Sequence, residues 1–330
     1  MFTIKLKNNK SFQCDENSTI FEAARRNNIF LEHSCLSARC RSCKVKVLSG
    51  KTKDCEQDLI LSDEEKNQNF VLSCNAKPIS DLKLDIEDLG DIELYHKKIV
   101  PAKISSIKKI NNDVIKVVFR LPPTSKFKFN SGQYVNLIKG NLNRSYSIAN
   151  NSDHKNKLEF FIKKYENGLM SKYWFEDMKI NDLLRVEGPL GSFFLRDSNC
   201  EHIVFLAIGT GIAPIKSIIE SIMNQPLNFN KKQFWIFVGA RYEEDLLWEP
   251  NLINEKIKLN YIPVLSRQIK NWNGEKGYVQ NAVLKQNIDL DNTQVYTCGS
   301  NEMIQSAKKL LFENSLFENN FFSDAFVPTN

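Results

Sequence analysis

The chain has 330 residues and 38.1 kDa, which at roughly 100–200 residues per domain gives two or three domains. Its 42% hydrophobic and 25% charged residues fit a soluble globular protein, and apolar runs of about six residues exclude a spanning helix, which needs roughly 20. The formal net charge of +6 arises outside the near-neutral first 92 residues, without a Lys/Arg block of the kind that binds nucleic acid.

The start, Met1-Phe-Thr-Ile-Lys-Leu-Lys, alternates apolar and polar residues and lacks the apolar core of a signal peptide. A cytoplasmic location without membrane insertion is therefore expected. Residues 2–6 and 11–14 read as two strands joined by Asn8-Asn9-Lys10. Ser18 or Thr19 caps a helix over about 20–27, with Glu22 near its first turn. A cysteine loop follows at 35–43, then strands at 44–48 and 70–73 and renewed alternation at 81–86. This order fits a β-grasp fold.

Residues near 88–99 are polar and poorly periodic, as at a domain boundary. Strand-like alternation then spans 101–121 and is broken by Pro122-Pro123; further strands are expected at 132–138, 145–149 and 158–162. Short strands with Gly and Pro punctuation predict a small antiparallel β-barrel. After Asp197 the pattern changes: residues 203–208 form a continuous apolar run, Gly209-Thr-Gly follows, and an apolar helix covers about 214–223. Strands at 234–238, 259–265 and 294–297, with helices around 277–284 and 302–313, predict a doubly wound parallel sheet. The chain is thus expected to be a multidomain α/β protein with domains at 1–92, 93–197 and 198–330.

Four of the eight cysteines are clustered as Cys35-x4-Cys40-x2-Cys43 with Cys74 further on. This is the plant-type [2Fe–2S] spacing, which wraps three soft thiolate ligands round a compact cluster and brings the fourth from a separate strand. Zinc and four ordinary core cysteines are the alternatives; zinc pairs usually come at C-x2-4-C in matched halves. The stretch resembles the plant-type ferredoxin domain of flavin-linked reductases. That family has glycine where Ala38 and Arg41 stand here. Arg39 and Arg41 would put positive charge beside the cluster, raising its potential, unless both point to solvent.

Arg144-Ser145-Tyr146-Ser147, Gly168-Leu-Met-Ser171 and Gly188-Pro-Leu-Gly191 follow in order and together resemble the ferredoxin-NADP reductase superfamily. The resemblance implies FAD. It places Arg144 on the pyrophosphate, Tyr146 on the isoalloxazine and Ser147 near its N5, with Phe161, Ile162 and Lys163 lining the flavin. Gly168, Met170 and Ser171 belong to a phosphate-holding helix start. FMN is less expected, because an FMN-using relative carries its ferredoxin domain at the C-terminus. Taken alone, Tyr146 would equally be a packed barrel tyrosine.

Gly209-Thr210-Gly211-Ile-Ala-Pro214 opens a helix after a buried strand, as a pyrophosphate site or an ordinary turn does. In the superfamily this element, with Gly239, Arg241, Gly299 and Met303, binds the nicotinamide dinucleotide. Cys298 would sit beside nicotinamide C4, or serve as a small core residue. Ser147 and Cys298 are the candidate catalytic residues, and Phe326 is a candidate cover for the flavin or packing beneath the last strand. NADH is expected over NADPH, because Glu243, Glu244 and Asp245 oppose a 2′-phosphate near Arg241.

A nicotinamide gives two electrons as a hydride, a [2Fe–2S] cluster takes one, and a flavin handles both. The order predicts a reductase that feeds single electrons to another protein. Val100-Pro-Ala-Lys103, residues 144–150 and Phe321-Phe-Ser-Asp-Ala-Phe326 resemble the CDP-6-deoxy-Δ3,4-glucoseen reductase family of 3,6-dideoxysugar biosynthesis. That family's partner is a pyridoxamine-phosphate-dependent dehydratase acting on a CDP-linked keto-sugar. The alternatives are the reductase of a multicomponent oxygenase and a zinc-stabilised binding or sensor module.

Overall fold

The computed structural model describes all residues except 56–59, 91, 155, 230, 251–256, 268–270 and 327–330. The chain divides into two compact units, Met1–Glu93 and Leu94–Asn330.

In the first unit, β1 (Phe2–Lys5) and β2 (Ser11–Cys14) form a hairpin, and α1 (Ile20–Arg26) follows. Thr19 starts α1 with a capping box: its hydroxyl accepts the Glu22 amide and Glu22 accepts the Thr19 amide. Next come β3 (Lys44–Ser49), β4 (Thr52–Asp54), α2 (Asp63–Asn67), β5 (Phe70–Leu72), β6 (Ala76–Pro78) and β7 (Leu82–Leu84). The main sheet runs β2-β1-β7-β3-β5, with β1 and β7 parallel, and β4 pairs with β6. Ile20, Phe21, Ala23 and Ala24 of α1 pack on Ile4, Phe12, Val45 and Leu82, giving the expected β-grasp core. Fully burying each large apolar side chain stabilises by about 1.5–3 kcal/mol.

The second unit begins with β8 (Lys98–Lys109), β9 (Val114–Arg120), β10 (Tyr134–Lys139), β11 (Leu142–Ser147), β12 (Lys157–Lys163), the short helix α3 (Leu169–Lys172) and β13 (Leu183–Leu190). The antiparallel order is β11-β10-β13-β8-β9-β12. The single alternating stretch expected over 101–121 is two strands, because the Asn111 side chain accepts the Asp113 and Val114 amides and turns the chain. The sheet curls until the chain beyond β11 meets β12, where the Ala149 amide donates to the Glu159 carbonyl at 2.8 Å. Asn150 completes this seam: its carbonyl side-chain atom accepts the Glu159 amide at 2.7 Å and its NH2 reaches the Lys157 carbonyl at 3.1 Å.

The remainder holds β14 (His202–Ile208), α4 (Ile212–Asn224), β15 (Gln233–Ala240), β16 (Lys258–Leu265), β17 (Glu275–Lys276), α5 (Val279–Val283), β18 (Thr293–Gly299), α6 (Asn301–Phe312) and β19 (Phe321–Ala325). All neighbours are parallel in the order β17-β16-β15-β14-β18-β19. The order reverses between β14 and β18, which opens a crevice at their carboxyl ends. Among the described residues no helix is long and apolar enough to cross a membrane.

Candidate functional site

The four clustered cysteines come together as two pairs. Cys35, Cys40 and Cys43 lie on the loop before β3, and Cys74 follows β5, the antiparallel neighbour of β3. The Cys35 amide donates to Cys40 Sγ at 3.3 Å, and Cys43 Sγ lies 3.2 Å from Cys74 Sγ. The Ser37 and Arg39 amides both donate to Cys35 Sγ at 3.4 Å. Leu36, Ala38 and Arg41 all adopt left-handed backbone, with φ of 54°, 53° and 66°. The loop thus keeps the turn that glycine would take freely, at roughly 1–2 kcal/mol for each side-chain-bearing residue.

A hydrogen bond from Cys40, aided by the Ser37 and Arg39 amides, pulls the Cys35 thiol below its ordinary range, and Cys40 is pushed up in return. Cys74 is likewise lowered by Cys43, which is raised. Two thiolate pairs are the donor set of a two-iron cluster, one pair per iron, whereas a single zinc needs four donors around one point. Among the described residues, no three His, Cys, Asp or Glu side chains converge on one ion.

The expectation for Arg41 needs correcting. Its guanidinium neither points to solvent nor stands as a lone charge: Nη1 donates to the Ile60 carbonyl at 2.7 Å and Nη2 pairs with Glu65. Arg39 is exposed.

On the barrel, Arg144 and Tyr146 share one face of β11, and Ser147 ends the strand, buried and paired with Tyr134. The Tyr146 hydroxyl accepts the Trp174 indole N–H at 2.7 Å, and the two rings meet edge-on. Burial pushes the Tyr146 hydroxyl up to about 12. Phe161 and Lys163 lie on one face of β12, but Ile162 lies on the other, fully buried in the barrel core. The period of two turns the Ile162 side chain inward, so at this position only the backbone borders the outer face. Met170 is also in the barrel core, so α3 can offer a ligand only its backbone there. Gly168 precedes α3, and the Ser171 hydroxyl accepts the Tyr165 amide at 3.0 Å. Tyr165 and Leu169 nearby are exposed, 58% and 66%, an apolar surface that a dinucleotide can cover.

The crevice between β14 and β18 gathers the nicotinamide candidates. Gly209 is exposed and left-handed, with φ of 53° and open space where a Cβ would stand, so a phosphate can approach its backbone. Gly211 does a different job: a Cβ there would lie 2.2 Å from the Cys298 carbonyl, so glycine lets α4 close onto β18. Pro214 lies in the first turn of α4, where its missing N–H costs nothing. Thr210 is half-buried between the two glycines, Gly239 lies next to last in β15 against Ile208 and Val279, and Arg241 beyond the strand is exposed.

Cys298 is fully buried at the end of β18, and burial raises its thiol well above the ordinary range, which suits packing rather than attack. Gly299 follows it, with Met303 packed beneath from α6. Phe326 continues the line of β19, its amide donating to the Gly299 carbonyl at 2.9 Å. Its ring is half-buried in the cluster that also holds Phe161, Ala149, Cys298 and α4. The structure thus brings Phe161, Cys298 and Phe326 into one apolar body spanning the barrel and the parallel sheet.

Sequence reasoning missed a set of polar residues at that junction. Lys216 of α4, nearly buried, donates to the Ala149 carbonyl at 2.8 Å and pairs with Glu159 at 3.1 Å and Glu220 at 2.6 Å. A lysine within an otherwise apolar helical face was the available signal.

Three family models match the chain: "2Fe-2S iron-sulfur cluster binding domain" over residues 4–78, "Oxidoreductase FAD-binding domain" over 101–195 and "Oxidoreductase NAD-binding domain" over 205–309. CDP-6-deoxy-L-threo-D-glycero-4-hexulose-3-dehydrase reductase of Yersinia pestis is 39% identical over 319 residues, covering 96% of both chains. Protein RfbI of Salmonella typhimurium is 35% identical, covering 98% of this chain and 95% of that one. Phenol hydroxylase P5 protein of Acinetobacter pittii is 29% identical, covering 96% and 92%. Among solved structures, the cytochrome P450 reductase GcoB of Amycolatopsis shares the fold with a TM-score of 0.75 at 23% identity, covering 99% of each chain.

Proposed function

From the premise that the chain belongs to the CDP-6-deoxy-L-threo-D-glycero-4-hexulose-3-dehydrase reductase family, we propose that it delivers electrons from NADH to a CDP-linked keto-sugar intermediate held by a pyridoxamine-phosphate-dependent dehydratase. It is an NAD(P)H oxidoreductase with a [2Fe–2S] cluster, FAD and NAD(H), and its acceptor is a protein. The observation that carries the sugar reading is 39% identity over 96% of both chains, against 29% for the phenol hydroxylase component.

When bound, the nicotinamide supplies a hydride, the flavin divides its two electrons, and the cluster passes them singly. This chain's residues would hold and align those groups. Cys35, Cys40, Cys43 and Cys74 would ligate the irons. Arg144 would fork onto the flavin pyrophosphate, with Tyr146 and Phe161 against its rings, Ser147 near N5 and Lys163 beside them. The backbone at Gly168 and Ser171, and at Gly209, Thr210 and Gly211, would take the phosphates, while Cys298 and Phe326 would shape the hydride path. Glu243 and Glu244, exposed beyond Arg241, favour NADH over NADPH. We assign the modules to 1–92, 93–197 and 198–330. A cytoplasmic setting agrees, since reducing conditions keep the four thiols available.

The test is reconstitution of the holoprotein with NADH, a candidate dehydratase and its CDP-4-keto-6-deoxyhexose substrate. A 3,6-dideoxyhexose product is expected. No product, alongside rapid reduction of an oxygenase component, would overturn the sugar reading in favour of an oxygenase partner.

A further inference from the structure

Arg41 and Lys44 stand on either side of Cys43, and one carboxylate oxygen, Glu65 Oε1, receives both of their cations. The second oxygen, Oε2, accepts the Ser62 amide at 3.0 Å and so fixes Glu65 in the capping box of α2. Arg41 is pinned again by its 2.7 Å bond to the Ile60 carbonyl. Lys44 Nζ lies 4.3 Å from the centre of the Phe70 ring. All three charged side chains are largely shielded, between 18% and 23% exposed. Glu65 is drawn down to about 2, against the cost of burial, by its bonds to Lys44 and Ser62 and the charge of Arg41.

We propose that Glu65 is a positioning and charge-balancing residue for the cluster: it holds the Arg41–Lys44 segment in place and cancels part of its positive charge, setting the reduction potential. The proposal rests on the assignment of Cys40 and Cys43 as cluster ligands. Reduction adds one negative charge to the cluster. Neighbouring cations favour the reduced form, and a carboxylate among them opposes it. Neutralising Glu65 therefore raises the potential, and removing either cation lowers it.

The experiment is a redox titration of the loaded protein, following the reduced cluster by electron paramagnetic resonance. Glu65→Gln keeps the shape and should shift the reduction equilibrium about tenfold toward the reduced form, which is 59 mV upward for one electron. Arg41→Gln and Lys44→Met should shift it downward, and Glu65→Gln with Arg41→Gln should fall between the singles. Opposed signs are a result that mere loosening of the loop does not give. Shifts of one sign in all variants, a Glu65→Gln change under twofold, or a Glu65→Gln protein without iron would each overturn the proposal. A Cys43→Ser protein with an unaltered cluster would instead sink the ligand assignment.

Discussion

Replacing Lys216 with Met should cost far more than the loss of a surface ion pair, because it empties the centre of a shielded network. The Lys216 side chain is 8% exposed and serves three oxygens, on Ala149, Glu159 and Glu220. Removing one member of a buried pair costs about 3–5 kcal/mol, since the partner stays behind uncompensated. Here the lower end applies. Glu159 keeps Lys116 at 3.4 Å, and Glu220, 26% exposed, also accepts the Asn151 amide. A loss of about 3 kcal/mol in a unit of this size corresponds to roughly 6–12 °C in Tm. Scanning calorimetry of the FAD-loaded protein measures it. Hydrogen exchange should show the Ala149 amide, which closes the barrel seam, losing protection. Lys216→Met combined with Glu159→Gln should lose less than the sum of the two singles, by about 1–3 kcal/mol. A Tm within 2 °C of the unaltered protein, or additive singles, would show that Lys216 does not anchor the seam.

Gly211→Ala forces a Cβ to 2.2 Å from the Cys298 carbonyl, so α4 must back away; a loss of about 1–3 kcal/mol and slower NADH-dependent flavin reduction are expected, with the cluster spectrum unchanged. Gly209→Ala meets open space but keeps a left-handed backbone at φ of 53°, so a milder loss of about 1–2 kcal/mol is expected from that strain alone. Cys74→Ser should abolish the cluster's visible absorption while NADH-driven reduction of an artificial dye continues. Cys298→Ala should slow flavin reduction more than it weakens coenzyme binding; a raised KM at unchanged kcat would contradict an aligning role. The Tyr146 hydroxyl is raised from 10 to about 12, so its contribution to stability is complete below pH 10 and declines as pH rises toward 12. Ultraviolet titration against Tyr146→Phe should show one late-titrating tyrosine.

The parts of the molecule legible in the sequence were those with a local cause. The cysteine spacing specifies one loop and one strand end, and the six-residue apolar run Ile203 to Ile208, closed by Gly209, has the length and punctuation of a buried strand. The capping box Ser62–Glu65 was also local, yet α2 went unseen because it buries no residue and so lacks an apolar period. β13 escaped because exposed Leu183 precedes buried Leu184 and masks the alternation, although the strand sits in mid-sheet between β10 and β8. β19 carries Asp324 at a buried position, which argues against a strand until β18 is beside it. At the site, a motif locates a residue without saying which way it faces. That is why Phe161 and Ile162, adjacent in the sequence, divide between the outer face and the barrel core.

The geometry between flavin and nicotinamide modules follows from one helix. The turn Gly209–Gly211, at the carboxyl edge of β14, leads directly into α4, and the next two turns of α4 hold the barrel seam. Ser217 donates to the Asn150 carbonyl at 2.7 Å and accepts the Gly132 amide at 3.3 Å, Lys216 bonds Ala149, and Glu220 takes the Asn151 amide. Ordinary hydrogen bonds contribute about 0.5–1.5 kcal/mol each and charged ones about 1.5–3, so a hinge at this junction would forfeit several kcal/mol at once. A hydride donor and acceptor must be held aligned at about 3–3.5 Å, and an error of about 1 Å costs roughly 100-fold in rate, so a loose junction would not serve. The same helix that opens at the carboxyl edge of the parallel sheet therefore fixes the FAD-binding domain against the NAD-binding domain.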